Sequence, residues 1–532
     1  MAKGAPHVFV TQGDLTKLAC DVWMLPTDQA LSVKEHWLEG EPSLRKRVKS
    51  FVGSGFANGL VLAAALPEGS GGEPSVVATA VPHYGIFDSE GVDLAIEALR
   101  AFVRLGANLA RDRTSSGRAT GRRGFPLLAL PAFGTDGGGG QSIRGELVAR
   151  ILQAVREEST LHEVDIAIVV REPAMYGLLQ RLRKDDVSTS WPSVSFEILE
   201  ILEILAAYAR SGRLVPFMGS GVSVSAGGPT WRELLRALAI EAGATEELVE
   251  SLISGERSPL DQASIIRLLY LERFPKHPSG DGGFAEAVAR AVSLSRYGLT
   301  PLLLASLKTE QAITLNYDTV FESASQDVGV RRTVIPDYGD NEGSVLVESS
   351  AWLLKLHGSV DNPESIVLTR DDYLGYSTQR EALSAIVKAN LITHHLLLVG
   401  FGFADDHFHQ ILHDVTRALP GRKSQPLGTA ISVGTDEFTE RLWGERLNLV
   451  SLGPGDLAQS GRELEIMLDL LLALSGDEHQ YLLKPGFESG LEDAELSLKA
   501  KLIGLQDQVS LAEKKTAAWK SVEKLFQSLG AV

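Results

Sequence analysis

The sequence has little cysteine, no long apolar run and no excess of positive charge. Its single cysteine, Cys20, excludes an internal disulfide and any zinc module built from several cysteines. No apolar run reaches the length of a membrane span, and the first residues, "MAKGAPHVFV", lack the apolar centre of a signal peptide. The formal net charge of −17 argues against binding nucleic acid or anionic membranes through bulk charge. We therefore expect a cytoplasmic protein that binds neither.

The chain has enough length and apolar content for several domains. It has 532 residues, of which 44% are hydrophobic. Within residues 5–185, short apolar runs such as "HVFVTQ", "CDVWMLP", "SVVATAV", "FPLLALP" and "VDIAIVV" predict strands, and helical patterns lie between the later ones. This alternation predicts a three-layer α/β domain with a largely parallel sheet. The polar residues 186–195 are the predicted linker.

A second α/β domain is predicted over residues 196–455. Its strand candidates are "RLVPFMG", "QAITLNYD", "WLLKLHGS", "HHLLLVGFG" and "GTAISVG". Residues 232–298 show only helical patterns and are expected to form a helical insertion. The remaining residues, 456–532, are expected to be helical throughout. The fold class is thus two three-layer α/β domains with a helical insertion and a helical C-terminal region.

A run of small residues separates the first strand of this second domain from the following helix. Residues 214–231 read "LVPFMGSGVSVSAGGPTW". One interpretation is a tight strand-to-helix connection, which glycine permits because it tolerates positive φ. The other is a loop whose N–H groups and following helix bind a diphosphate. The run alone does not separate the two.

Polar residues also end three later strands of this domain. "TLNYD" ends in Asn316 and Asp318, "LKLHGS" contains His357, and "LLLVGFGFADD" contains Gly400 and Asp405. In an open parallel sheet, ligands bind at the carboxyl ends of the strands, so these groups are expected to line one crevice. The residue types fit a dinucleotide site with polar groups beside a ribose.

These segments resemble the motifs of the sirtuins, in family order over about 200 residues. "GSGVSVSAGGPTWR" resembles the sirtuin nucleotide-binding motif, "TLNYD" resembles Thr-Gln-Asn-Ile-Asp, "KLHGS" resembles the Leu-His-Gly segment, and "VGFGFADD" resembles the later strand end that binds adenosine. The resemblance implies NAD binding by Gly219, Ser220, Gly221, Ser223, Thr230, Trp231, Arg232, Gly358, Gly400, Gly402 and Asp405.

The resemblance also implies catalytic roles for three residues. Asn316 would orient a ribose hydroxyl or the attacking water, His357 would hydrogen-bond the ribose hydroxyls, and Asp318 would hold the carboxamide or support developing charge. Structural alternatives remain open: Asn316 as a turn residue, His357 as a core histidine, and Asp318 or Asp405 as a helix N-cap.

The sequence departs from the sirtuin deacylases by lacking the four cysteines of their zinc module. In this it resembles the bacterial sirtuin-like group of anti-phage effectors, which hydrolyse NAD. The resemblance implies NAD as substrate and no metal. "DDHFHQILHD" contains His407, His409 and His413, but it specifies no third zinc ligand.

The first domain resembles a macro domain. "TQGDLTKLACDVWMLPTD" is similar to the start of that family, and "LPAFGTDGGGG" is similar to its diphosphate loop. The resemblance implies that an ADP-ribose-like signal is bound by Asp14, Leu15, Gly134, Thr135, Gly137 and Gly138, with glycine N–H groups around the diphosphate. Leu25 and Asp28 replace the asparagines of the family pattern, which weakens ADP-ribose hydrolysis more than binding.

Together the two resemblances imply a Thoeris-type defence effector. A nucleotide signal would activate NAD cleavage, and NAD depletion would stop phage growth. A homo-oligomer is expected, because the apolar faces of the 198–208 helix and of the C-terminal helices need partners, although packing within the chain would cover these faces equally well. Two alternatives stay open: an NAD-dependent deacylase or ADP-ribosyltransferase, and a nucleotide sensor that binds NAD without turning it over.

Overall fold

The computed structural model of the chain describes residues 4–28, 30–39, 41–51, 61–69, 72–80, 88–117, 123–135, 140–255, 257–336, 350–403, 405–419, 426–433, 437–453, 456–476 and 479–531. The contacts between residues divide the chain into two compact units. Unit 1 consists of Met1–Glu203 together with Asp469–Val532, and unit 2 consists of Ile204–Leu468. Unit 1 is therefore discontinuous in sequence.

The described strands are β1 (Val8–Gln12), β2 (Val22–Thr27), β3 (Ala63–Ala65), β4 (Ser75–Ala80), β5 (Leu127–Leu130), β6 (Asp165–Val170), β7 (Leu214–Met218), β8 (Gln311–Thr314), β9 (Thr333–Ile335), β10 (Trp352–Lys355), β11 (His395–Val399), β12 (Gly428–Val433) and β13 (Leu447–Leu452).

The described α-helices are α1 (Pro42–Phe51), α2 (Ser89–Ser115), α3 (Arg144–His162), α4 (Pro173–Lys184), α5 (Val187–Ser190), α6 (Phe196–Arg210), α7 (Trp231–Glu241), α8 (Glu246–Ile253), α9 (Pro259–Arg273), α10 (Phe284–Val292), α11 (Leu299–Ser306), α12 (Val320–Asp327), α13 (Arg370–Gln379), α14 (Glu381–Thr393), α15 (Asp406–Ala418), α16 (Glu437–Trp443), α17 (Leu457–Ser475), α18 (Asp493–Gln508) and α19 (Ala517–Ser528). None of the helices in the described part of the chain is both long and apolar enough to cross a membrane.

The sheet of unit 1 has the strand order β1-β6-β5-β2-β4-β3. All of its described pairs are parallel except β3 with β4, which is antiparallel at the edge. Strands β4, β5 and β6 are buried along their whole length, as their near-continuous apolar sequences predict for a sheet covered on both faces. The predicted α/β class is confirmed for this unit.

A buried carboxylate joins the two sequence segments of unit 1. Asp469, in α17, accepts hydrogen bonds from His7 Nε2 at 2.8 Å and from Trp191 Nε1 at 2.8 Å, and it forms an ion pair with Arg183. Burial raises the pKa of this carboxyl, but Arg183 and His7 lower it by more, to about 2. Trp191 lies within the predicted linker and is 2% exposed.

The sheet of unit 2 has the strand order β13-β12-β11-β7-β8-β10-β9, and its described pairs are all parallel. From β7 the chain passes to β8 on one side and later to β11 on the other side. The crevice outside the carboxyl ends of these central strands is therefore the topological switch point, where open α/β sheets bind ligands. The predicted α/β class is confirmed here too. Between β7 and β8, the helices α7–α10 pack into their own apolar cluster around Leu235, Ile266 and Val288.

Candidate active site and ligand cleft

The glycine run after β7 lies against the end of β11. Gly219 N donates to Val399 O at 2.9 Å, and Gly221 N donates to Gly400 O at 3.1 Å. Gly400 has φ +63°, and a Cβ there would lie 2.5 Å from Val222 N. Glycine is required at this crossing by both the backbone conformation and the close approach. The same run therefore acts as a tight connection and also forms one wall of the crevice.

A cleft of about 450 Å³ opens at the switch point. The predicted site residues that line it come from four strand ends and the start of α7: Gly219, Ser220, Ser223, Trp231, Asn316, Asp318, His357, Gly400, Gly402 and Asp405. Segments far apart in sequence thus meet in one cavity, as expected for the carboxyl end of a parallel sheet.

Ser223 connects two of the predicted catalytic residues. Its hydroxyl donates to Asp318 Oδ2 at 2.6 Å and accepts from Asn316 Nδ2 at 3.0 Å. The second oxygen of Asp318 accepts the Val320 N–H at 3.2 Å. Because the amide nitrogen of Asn316 faces Ser223, its Oδ1 is the atom left for a ligand, and this buried oxygen has no partner among the described residues.

Lys355 supports this corner from beneath the cleft. Its side chain is fully buried, and Nζ donates to Asp318 O at 2.6 Å, to Tyr317 O at 3.3 Å and to Glu322 Oε1 at 2.7 Å. These bonds hold the backbone on which Asn316 and Asp318 sit. The lysine was not predicted as a site residue, although a lysine inside the apolar run "WLLKLHGS" is unusual enough to have indicated it.

His357 lies at the end of β10, in an apolar and aromatic environment. Its ring contacts those of Tyr373 and Tyr376 edge to face, at centroid distances of 5.4 and 6.0 Å. Burial lowers the pKa of His357 to about 4, and the nearby Asp405 carboxylate opposes this only in part. The imidazole is therefore neutral near pH 7 and is available as a hydrogen-bonding group or a base.

Asp405 caps a helix and also lines the cleft. As the N-cap of α15, its Oδ1 accepts the Phe408 N–H at 2.7 Å. Its Oδ2 faces the cleft, where it accepts the Tyr373 hydroxyl at 2.9 Å. Burial, together with the Asp405 charge, raises the pKa of the Tyr373 phenol, which stays a donor. Tyr373 also lines the cleft and was not predicted.

Four predicted cofactor residues do not line the cleft. Thr230 forms the capping box of α7 with Glu233, and Arg232 is exposed on that helix. Gly221 packs on the Gly400 backbone, and Gly358 has φ +95° in a tight turn. Arg370 lines the cleft although it was not predicted, and it is held by Asp261 of α9 through an Nε–Oδ1 bond of 2.8 Å.

Unit 1 has its own cleft, of about 430 Å³, at the carboxyl ends of β1, β2, β5 and β6. Of the predicted signal-binding residues, Leu15, Gly134 and Thr135 line it, whereas Gly137 and Gly138 lie outside the described residues. Lys34, His36 and Arg171 are also in the lining. Asp28 and Glu172 line it as well, so this cleft combines an apolar wall with basic and acidic side chains.

Asp14 does not line the unit 1 cleft, although Gly13 and Leu15 on either side of it do. Its carboxylate accepts from Thr16 N at 3.0 Å and Thr16 Oγ1 at 2.8 Å, and it pairs with Arg171 at 2.7 Å. Burial raises the pKa of Asp14, but the Thr16 hydrogen bonds and the Arg171 charge lower it below the usual value. A ligand that contacts the Asp14 carboxylate therefore has to share it with Thr16 and Arg171.

Residues 310–450 match a protein family described as "SIR2-like domain". The matched range includes Asn316, Asp318, His357 and Asp405, and the glycine run after β7 lies outside it.

The chain is also similar to curated proteins. It is 28% identical over 217 residues to the NAD(+) hydrolase ThsA of Enterococcus faecium, with 40% of this chain and 41% of the relative covered. It is 26% identical to the defence-associated sirtuin 2 of Bacillus subtilis, with 41% of this chain and 21% of the relative covered. It is 27% identical to the NAD(+) hydrolase ThsA of Bacillus cereus (strain MSX-D12), with 38% and 40% covered. The chain thus spans less than half the length of each relative.

Two solved macro domains align with part of the chain. The macro domain of ganglioside induced differentiation associated protein 2 is 14% identical with a TM-score of 0.25, covering 36% of this chain and 86% of that domain. An Oceanobacillus iheyensis macrodomain is 18% identical with a TM-score of 0.24, covering 34% of this chain and 92% of that domain.

Proposed function

We propose that this chain is an NAD hydrolase effector of anti-phage defence, which cleaves NAD to nicotinamide and ADP-ribose. The observation that carries the proposal is the grouping of Asn316, Asp318 and His357 in one cleft of a SIR2-like domain. The similarity to proteins named NAD(+) hydrolase supports it. NAD is the proposed substrate.

The reaction breaks the bond between the nicotinamide nitrogen and the ribose. Nicotinamide leaves with the bonding electron pair, the ribose develops oxocarbenium character, and a water oxygen forms the new bond before losing a proton. Asn316 Oδ1 accepts a hydrogen bond from this water or from a ribose hydroxyl, because Nδ2 is already bound to Ser223. The neutral His357 forms a hydrogen bond with a ribose hydroxyl.

Asp318 acts here through Ser223. Each of its carboxylate oxygens accepts a hydrogen bond within the protein, from Ser223 and from the Val320 N–H. We therefore assign it the positioning of Ser223 and, through Ser223, of Asn316. Its negative charge also lies on the side of the cleft where the ribose becomes cationic, which lowers the energy of that state.

The cleft of unit 1 is proposed to bind the activating signal, an ADP-ribose-like nucleotide. Its basic side chains suit a diphosphate, and its apolar wall suits a base. A signal that binds the active state more tightly than the inactive state by about 2.7 kcal/mol shifts the equilibrium between the two states about 100-fold. NAD depletion following activation would end phage growth, and assembly into a homo-oligomer is proposed as part of the active form.

Free nicotinamide is the product to measure. The purified chain is incubated with NAD, alone and with nucleotide extracts of infected cells, and compared with the Asn316→Ala variant. Release of nicotinamide and ADP-ribose by the wild type alone supports hydrolysis. Release that requires an acetylated peptide or another acceptor would instead show a deacylase or a transferase. NAD binding without release under all these conditions would show a non-catalytic sensor.

A further inference from the structure

Three possible metal ligands meet at one side of the unit 2 cleft. His357 is at the end of β10, Asp405 is the N-cap of α15, and His407 is in the first turn of α15. One donor atom from each side chain lies within 4.8 Å of the others. His409 and His413, from the same segment, are not part of this group.

The hydrogen bonds of His407 show which ring nitrogen carries the lone pair. Its Nε2 is 3.1 Å from the carbonyl oxygen of Tyr373, which only accepts, so Nε2 carries the hydrogen. Nδ1 is then the ring nitrogen left to bind a metal. This atom is buried and has no partner in the described part of the chain. A ligating histidine is usually oriented in this way, by a bond from its other nitrogen to a carbonyl.

The other two donors face the same point. His357 Nε2 is likewise buried without a hydrogen-bond partner among the described residues, and its side chain is 6% exposed. It lies 3.4 Å from Asp405 Oδ2, close to the separation of about 3.4 Å between two ligands of a tetrahedral zinc ion. The other distances between the three donor atoms are at most 4.8 Å, so they shorten by about 1.4 Å or less when a metal binds.

We propose that His357, Asp405 and His407 bind a first-row transition-metal ion such as Zn²⁺, and that this ion inhibits the enzyme. Two imidazoles and one carboxylate suit Zn²⁺, Co²⁺ or Ni²⁺ better than Mg²⁺ or Ca²⁺, which prefer oxygen ligands. The missing cysteines exclude the four-cysteine module but not a site of this kind. A fourth position remains for water.

Inhibition follows from the identity of one ligand, and this half of the inference rests on the proposed function. A metal on His357 Nε2 occupies the ring nitrogen that would otherwise hydrogen-bond a ribose hydroxyl. It also places a positive charge where the ribose becomes cationic, which opposes the reaction. Metal and NAD therefore compete for this corner of the cleft.

Metal binding is tested without NAD. Chelator-treated protein is titrated with Co²⁺, whose visible spectrum strengthens when it becomes four-coordinate, and with Zn²⁺ by calorimetry. We expect one Co²⁺ per chain with a four-coordinate spectrum in the wild type. His407→Gln should weaken binding at least about 100-fold, since even outer-sphere partners change metal affinity by roughly 10–100-fold.

His409→Gln is the matched control. This histidine is on the same helix and also bonds a carbonyl, Phe403 O at 2.6 Å, but it lies outside the group. It should bind metal like the wild type. A wild-type Co²⁺ spectrum that stays six-coordinate overturns the site whether or not any variant folds. Equal binding by His407→Gln and wild type overturns it as well.

The inhibition is tested by nicotinamide release with and without Zn²⁺. Zn²⁺ should suppress wild-type release at least about tenfold and leave His407→Gln within about twofold of its own metal-free rate. Tight metal binding with undiminished release overturns the inhibitory role. Absence of release in every sample contradicts the proposed function instead, and the Co²⁺ titration still decides the site.

Discussion

Ser223 and Asp318 are 95 positions apart in the sequence, and the hydroxyl of Ser223 donates a 2.6 Å hydrogen bond to Oδ2 of Asp318. The same hydroxyl accepts from Asn316 Nδ2. Donation to the carboxylate fixes the hydroxyl hydrogen, and this in turn fixes which end of the Asn316 amide faces the cleft. The glycine-rich run thus orients a polar side chain on the neighbouring strand.

Ser223→Ala should lower NAD cleavage about 10–150-fold. The variant loses a hydrogen bond to a charged acceptor, which is typically worth about 1.5–3 kcal/mol, and it frees the Asn316 amide to rotate. Nicotinamide release under saturating NAD measures the effect. Ser225→Ala, in the same loop, is the matched control and should stay within about twofold of wild type. Equal losses in the two variants would point to loop disruption instead.

Asn316→Ala and His357→Ala should each lower NAD cleavage by about 10²–10⁴-fold, the scale of a positioned polar or acid–base group. Both side chains line the cleft at strand ends, so the fold should survive their removal. Nicotinamide release is measured in the activated state, and thermal melting shows whether each variant is folded. Two folded variants with near-normal turnover would refute the assigned roles.

The buried His357 makes the stability of unit 2 depend on pH. The native imidazole has a pKa of about 4, whereas the unfolded one titrates near 6.5. Between these values the unfolded state binds a proton that the native state does not, so stability falls as the pH drops. At pH 5.0 the loss from this group is about 2 kcal/mol relative to pH 7.5.

His357→Gln removes that titration while keeping a polar side chain. Urea unfolding of variant and wild type at the two pH values gives the free energy of unfolding of each. The difference between the two proteins should change by about 2 kcal/mol, in favour of the variant at pH 5.0. A pH-independent difference would mean that the native imidazole protonates normally.

Lys355→Met should destabilise unit 2 by about 3–5 kcal/mol, because it leaves the Glu322 carboxylate and two strand-end carbonyls without their donor. Adding Glu322→Gln to this variant should recover part of the loss. A double-mutant cycle from urea unfolding measures the coupling. Strictly additive effects would contradict an ion pair that stabilises the site.

Asp14→Ala should weaken ADP-ribose binding by unit 1 about 10–150-fold, because the variant loses the charge-assisted hydrogen bond that Asp14 is proposed to form with the nucleotide. Calorimetry on the whole chain checks this, and the unit 2 site should be unaffected. Asp14→Asn keeps an acceptor for Thr16 but not the Arg171 ion pair, so its loss should be smaller. Unchanged binding in both variants would restrict Asp14 to its observed partners.

The strands that could be predicted are those with long apolar runs. The runs containing β1, β7 and β11 are near-continuous apolar segments of the kind that buried parallel strands require. Strands β3, β9 and β13 were not among the predicted strands. The first two have only three residues, which gives no periodicity, and β3 is three alanines with low strand propensity.

The residues of the candidate site were predictable where a motif ends a strand. Asn316, Asp318 and His357 all line the cleft for this reason. Lys355 and the group around His407 were not predicted, because their roles depend on which strands are neighbours and on which nitrogen faces a carbonyl. The capping role of Thr230 was visible in "TWRE", which has the spacing of a capping box.

The order of synthesis differs from the order in which the two units can be completed. Residues 204–468 contain all of unit 2, whereas unit 1 also needs the segment that begins at Asp469. Until that segment has left the ribosome, the guanidinium of Arg183 lacks the carboxylate that neutralises it in the finished protein. Unit 2 can therefore finish folding first, and unit 1 is completed last.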